Sequence, residues 1–380
     1  MQPFDFQPRT RLIFGHGAIE HLGPVARELG LRRPLLVADR GLVAAGHVES
    51  AARRLRQAGI DVVTFHDFDV NPNTAMIEVG RRFAAPLGID SLVGLGGGSS
   101  LDCAKGINFL LTNGGAMADY RGYGKATKPM LPMIAIPTTA GAGAEAQSYA
   151  VVSDALTHRK MACGDPKAAF RVAILDPDLT LSQPASVTAA AGLDAIAHAV
   201  ETYVTTRRNA LSACFSREAW RLLSANYQRV LAQPDAADAR AAMQLGAHYA
   251  GLAIEQSMLG AAHACANPLT AQYDMTHGIA LAILLPHVVR WNAATVPELY
   301  GELVSVASGQ SCNGEPGGKL AATLVGLGAA AGFPDRLRAM GVQESDLEQL
   351  ATDAAEQWTG TFNPRPFDAH SALEVYRCAY

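Results

Sequence analysis

Near Pro184 the hydrophobic pattern of this chain changes period, and that change divides the architectures open to it. Before it, short apolar or β-branched runs alternate with amphipathic stretches: strand-like 34–38, helix-like 47–58, strand-like 60–65, helix-like 74–85 and strand-like 91–95. Further strand-like segments follow at 133–136, 149–153 and 171–175, the last running into the turn-prone Asp176-Pro177-Asp178. Strands alternating with helices predict a parallel sheet with helices packed on its faces. After Pro184, Ala-rich stretches with apolar residues at helical spacing run almost to the C-terminus and strand signals vanish. A chain of 380 residues is long enough for two cores. We therefore expect an α/β domain with a parallel sheet over residues 1–182 and an all-α domain over 183–380, with a cleft between them. Turn-forming residues mark loops at 233–235, 308–318 and 363–366.

Two loops at predicted strand ends carry the first chemistry. Gly94-Leu95-Gly96-Gly97-Gly98-Ser99-Ser100-Leu101-Asp102 follows a strand and opens a helix, where bare backbone N–H groups at a helix N-terminus can hold a pyrophosphate. A tight structural turn would also explain the run, because Ser99 stands where the dinucleotide fingerprint has its third glycine. Ser99 and Asp102 have capping-box spacing. The second loop, Pro137-Thr138-Thr139-Ala140-Gly141-Ala142-Gly143-Ala144-Glu145, offers hydroxyls and N–H groups to the same ligand. Two such loops at strand ends favour phosphate binding over a merely structural turn.

The helical half carries a second cluster. Leu193, Ile196, Ala197, Val200 and Val204 form an apolar stripe, and Asp194, His198 and Glu201 share the adjacent helix face. His263 lies in an Ala-rich helix, and His277 precedes Gly278 and a very apolar segment. One carboxylate and three imidazoles suit Fe(II), Zn(II), Ni(II) or Mn(II) with a coordination position left open. A lone helix histidine is also an ordinary core or surface residue, and the spacing by itself does not decide between the two.

Composition narrows the partners. A formal net charge of −4, with no basic run longer than a pair such as Arg32-Arg33, leaves no footprint for nucleic acid. The longest apolar run, 279–289, contains Pro286 and His287 and is too short to span a bilayer, and residues 1–11 lack the apolar core of a signal peptide. The six cysteines form no C-x-x-C pair, which argues against disulfides or a thiolate metal site and for a reducing, cytoplasmic setting.

Taken in order, the Gly-Gly-Gly-Ser-Ser-Leu-Asp turn, Pro137-Thr138-Thr139-Ala140-Gly141, Asp194-Ala-x-x-His198, His263 and Thr276-His277-Gly278 resemble the iron-containing, or group III, alcohol dehydrogenase family over nearly the whole chain. The resemblance implies a dinucleotide-binding α/β domain, a helical domain carrying a catalytic divalent metal, and an active site in the cleft between them. By position it implies Asp194, His198, His263 and His277 as metal ligands and as the catalytic centre, with iron first and zinc, nickel or manganese as alternatives. It implies NAD contacts at Asp39, Asn71, Gly97, Gly98, Ser99, Thr138, Thr139, Lys160 and Leu179. Asp39 would accept from the adenosine ribose and disfavour a 2′-phosphate, or else serve as a helix cap.

The activity so implied is hydride transfer between NAD(H) and a small alcohol or aldehyde, in a homodimer or larger assembly without nucleic-acid or membrane partners. A lyase of the dehydroquinate-synthase type and a metal hydrolase are the competing readings. The first lacks a Lys/Arg cluster to clamp an anionic substrate, and the second leaves the phosphate-type loops unexplained. Two departures stand out. Asn267 replaces a histidine common in the family, which questions the proton relay, and Glu255-Gln256 sit where relatives carry apolar groups, which questions the substrate.

Overall fold

The computed structural model describes residues 3–68 and 72–380. The chain divides into two compact units, Phe6–Gln183 and Pro184–Tyr380, the latter grouped with residues 3–5.

The strands of the first unit are β1 (Arg11–Phe14), β2 (Pro34–Val37), β3 (Val63–Phe65), β4 (Ser91–Gly96), β5 (Gly122–Tyr123), β6 (Met133–Pro137), β7 (Tyr149–Ser153), β8 (Lys160–Gly164) and β9 (Val172–Leu175). Its helices are α1 (Leu22–Glu28), α2 (Arg40–Ala44), α3 (His47–Gln57), α4 (Thr74–Ala84) and α5 (Gly98–Asn113). Six strands form one sheet in the order β1-β9-β6-β4-β2-β3, and every neighbouring pair is parallel. Strands β2, β4, β6 and β9 are buried along their whole length, which is why they read as continuous apolar runs.

Successive strand residues face opposite sides. Leu35, Val37, Leu92, Met133 and Ala135 pack with Leu101, Ile107 and Phe109 of α5, while Leu36, Val93, Ile134 and Ile174 pack with Leu22, Val25, Ala51 and Leu55 of α1 and α3.

Two features depart from the sequence pattern. Strand β1 carries no strand signal of its own, because it is four residues long with Leu12 and Phe14 exposed; its register against β9 makes it an edge strand. Segments β7 and β8 do not extend the parallel sheet. They form a separate sheet in the order β5-β8-β7, with β7 antiparallel to β8. The short connection explains this: Asp154 Oδ1 accepts from Leu156 N, Thr157 N and Thr157 Oγ1, and His158 takes a φ of 59°, so the chain reverses tightly.

The second unit contains α6 (Ala185–Val204), α7 (Ala210–Ala232), α8 (Ala237–Ser257), α9 (Ala261–Tyr273), α10 (His277–Asn292), α11 (Pro297–Ser308), α12 (Pro316–Ala330), α13 (Leu347–Ala355) and α14 (Ala369–Ala379), and no strand among its described residues. Helix α7 starts at Asn209, whose side chain accepts from Leu211 N and Ser212 N. Gly192 lets α7 lie close on α6, since a Cβ there would stand 2.6 Å from the Tyr227 ring.

Candidate functional site

In the helical unit, three helices bring one carboxylate and three imidazoles together. Asp194 and His198 sit one turn apart on α6, with Nε2 of His198 3.1 Å from Asp194 Oδ1. His263, in the first turn of α9, places Nε2 3.5 Å from the same oxygen, and His277, the first residue of α10, places Nε2 at 3.9 Å. Ligand atoms of Asp194, His263 and His277 all lie within 4.8 Å of one another. The approach of α10 depends on Gly278, where a Cβ would stand 2.0 Å from the Ala190 carbonyl oxygen of α6. The apolar segment after His277 is buried on all sides, which seats the helix that presents it.

The electrostatics of this cluster ask for a cation. Asp194 Oδ1 and His263 Nε2, 3.5 Å apart, are buried without a hydrogen-bond partner, while the unpartnered atom of His198 is Nδ1, on the ring edge turned away from Asp194. Lone pairs facing one carboxylate oxygen in a dry site are costly unless a positive charge sits among them. In the absence of an ion that charge is a proton. Burial would raise the Asp194 pKa, but His198, His263 and His277 hold it well below the usual carboxylate range. Burial would likewise lower His263, yet Glu201 and Asp194 push it up to about 9. The donor set, its burial and its unpartnered atoms fit a borderline divalent ion.

Glu201 shares the Asp194–His198 face in the sequence pattern, but spacing gives it no task. In the fold it is buried, with Oε1 accepting from Ala262 N at 2.7 Å and Oε2 accepting from His263 Nδ1. The signal for this lay only in its helical spacing from His198.

In the first unit the two small-residue loops meet. Helix α5 begins at Gly98 with Gly97 as N-cap, and no described side chain caps it. The capping box read from Ser99 and Asp102 is therefore not formed. Asp102 is instead buried inside α5, 3.7 Å from Lys105 Nζ; burial, partly offset by Lys105, pushes its pKa up to about 6. Ser99 is half-buried in the first turn. Thr138 is buried and its N–H donates to Gly96 O at 3.0 Å. A Cβ on Gly97 would stand 3.2 Å from Thr139 Cγ2, and one on Gly98 would stand 2.7 Å from Ala142 Cβ, so the two loops are in backbone-close contact. Gly96 itself has a φ of 141°, which favours glycine. Bare glycine backbone and a helix N-terminus at the carboxyl end of the sheet suit a pyrophosphate.

The remaining predicted positions are more scattered. Asp39 lies two residues past β2 and N-caps α2: Oδ1 accepts from Leu42 N at 3.3 Å and Oδ2 accepts from Ser100 Oγ at 3.1 Å. It therefore plays the cap role and is also tied to α5, beside the glycine turn. Lys160 opens β8 in the small sheet, near enough to Asp102 to stabilise its charge. Leu179 lies in the turn after β9 and packs against the core on the α1–α3 side. Asn71 lies outside the described residues. Asn267 is buried and donates through Nδ2 to Gln357 Oε1 at 3.1 Å, so it engages a side chain rather than local backbone. Glu255 is half-buried in the last turn of α8.

A family model described as iron-containing alcohol dehydrogenase matches residues 8–177, and one for the C-terminal part of the Fe-containing alcohol dehydrogenase family matches residues 188–380. The chain belongs to the iron-containing alcohol dehydrogenase family. It is an oxidoreductase acting on alcohols and aldehydes, which sets aside the lyase and hydrolase readings. This alcohol dehydrogenase is 34% identical to a 1,3-propanediol dehydrogenase of Citrobacter freundii, over 99% of both chains. It is 34% identical to an NAD-dependent methanol dehydrogenase of Bacillus methanolicus, over 97% of both. A solved structure of a 1,3-propanediol oxidoreductase superposes with a TM-score of 0.96 at 33% identity, covering 100% of both chains. Among the described residues of the dehydrogenase no helix is long and apolar enough to cross a membrane.

Proposed function

We propose that this alcohol dehydrogenase moves a hydride between NAD(H) and a small alcohol or its aldehyde, with one divalent ion, iron first, held by Asp194, His198, His263 and His277. The observation that carries the reading is the convergence of three imidazole nitrogens on one buried carboxylate oxygen. When bound, the ion supplies Lewis acidity that polarises the substrate C–O group. The chain's own part is positional. Glu201 and Thr270, which stands 3.4 Å from His277 Nδ1, hold the outer faces of two ligand rings. The backbone N–H groups of Gly98 and Ser99 receive the dinucleotide pyrophosphate, and Thr138 and Thr139 flank it. Residues 1–182 form the dinucleotide domain and 183–380 the metal domain. The names of the relatives support a short, unbranched alcohol or diol as substrate. We place the enzyme in the cytoplasm as a homodimer or larger assembly, the latter readable by light scattering.

Exhaustive chelation should abolish NADH formation from a panel of short alcohols, and adding back iron, zinc, nickel or manganese should restore it. Full turnover in protein shown by metal analysis to be ion-free defeats the proposal.

Asp39 carries the cofactor preference. A carboxylate has room for acceptor contacts beyond its two present ones, so it can still take ribose hydroxyls while repelling a 2′-phosphate. We expect kcat/KM for NAD to exceed that for NADP by roughly 100-fold, since like-charge juxtaposition costs several kcal/mol. Asp39→Gly should narrow the ratio. Equal values in the parent enzyme, or an unchanged ratio in the variant, would show that Asp39 is a cap and nothing more.

A further inference from the structure

Helix α9 begins at Gly260, which offers no side chain as a cap. Two side chains from elsewhere in the same unit take over. Asn363 Oδ1 accepts from Ala261 N at 3.3 Å and is fixed by reciprocal amide bonds with Asn292. Glu201, reaching across from α6, accepts from Ala262 N through Oε1 and from His263 Nδ1 through Oε2. Glycine at 260 makes the room, since a Cβ there would stand 3.0 Å from both Glu201 Oε1 and Asn363 Oδ1. A carboxylate at a helix N-terminus is also favourably placed in the helix dipole.

We propose that Glu201 is a positioning residue that fixes the tautomer of His263 and thereby sets the ion affinity of the cluster; this rests on the metal reading above. A carboxylate can only accept, so the hydrogen of a neutral His263 ring sits on Nδ1 and the lone pair on Nε2 faces Asp194. Because the same carboxylate is pinned by the Ala262 N–H, the ring is held in place as well as in protonation. A glutamine of equal size reverses the pattern. Its oxygen satisfies the Ala262 N–H, its amide hydrogens point at Nδ1, and the ring answers by carrying its own hydrogen on Nε2, where it blocks the ion.

The test is Zn(II) affinity, measured by chelator competition on the full chain. Glu201→Gln should bind 10- to 100-fold more weakly, the range found for outer partners of metal-bound histidines, and excess Zn(II) should recover occupancy. Its Co(II) derivative should show altered visible absorption. Wild-type affinity in Glu201→Gln, alongside loss of the ion in His263→Ala, overturns the inference and leaves the metal reading standing. Wild-type affinity in His263→Ala overturns the metal reading itself. Should Glu201→Gln fail to fold, nitrogen chemical shifts of histidine-labelled, Zn(II)-loaded parent protein decide: His263 is expected to keep a hydrogen on Nδ1, and coordination through Nδ1 refutes the proposal.

Discussion

His263→Ala should strip the bound ion and cost roughly 1000-fold or more in kcat/KM, because the Lewis acid worth several kcal/mol at the reacting oxygen is lost. The loss should exceed that of a simple truncation, since the variant leaves the buried Glu201 carboxylate facing no ring donor. A pH signature belongs to the same residue. In the ion-free protein the His263 pKa is raised from 6.5 to about 9, with burial opposing and Glu201 and Asp194 prevailing. A pKa raised on folding means the bound proton stabilises the ion-free fold fully below pH 6.5, and this contribution is lost as pH rises through about 9. A divalent ion must expel that proton, so ion affinity should climb with pH up to about 9 and then level. Metal content by elemental analysis, and affinity measured from pH 6 to 10, check both expectations. A His263→Ala protein with parental metal content, or a parental affinity that is flat across that range, would show that His263 is not a ligand.

Lys105→Met should destabilise the dinucleotide unit by roughly 4 kcal/mol or more. Lys105 is completely buried in α5, and Nζ donates to the carbonyls of Ala144 at 2.7 Å, Gln147 at 2.8 Å and Tyr149 at 2.6 Å, with the Phe170 ring centroid 5.3 Å away. Hydrogen bonds from a charged donor contribute about 1.5–3 kcal/mol each, and the buried Asp102 loses its nearest cation besides. The three carbonyls belong to the stretch that follows Thr138–Thr139 and leads into β7, so the variant should also raise KM for NAD more than it lowers kcat. Urea unfolding and steady-state kinetics at saturating metal read the two effects. A loss below about 1 kcal/mol would mean the carbonyls find other donors.

Lys105 was invisible to sequence reading for a physical reason. Nothing in a single helical lysine says that it points inward, and the carbonyls that justify its burial come from a loop whose path is set only in three dimensions. The same holds for Glu201, whose spacing places it on the ligand face while its partners lie on α9. By contrast, β2, β4 and β6 were legible because strands covered on both faces must be apolar throughout, and the all-helical second half was legible from its period alone. Strand β1 and the β7–β8 pairing were not, since an exposed four-residue edge and the choice between extending one sheet and starting another depend on contacts rather than composition. His263 and His277 lie far along the chain from the Asp194–His198 pair, so their order along a familiar family pattern pointed to the four more sharply than spacing did.

Gly278 gives the ion cluster one unyielding wall. There the backbone of α10 rests against the backbone of α6 at Ala190, one turn before Asp194, with no side chain between to compress or rotate. The spacing of the α6 and α10 main chains behind Asp194 and His277 is therefore set by backbone contact rather than by side-chain packing. Any side chain at position 278 would thus have to push α10, and His277 with it, away from α6, because the atom it meets is backbone and cannot turn aside.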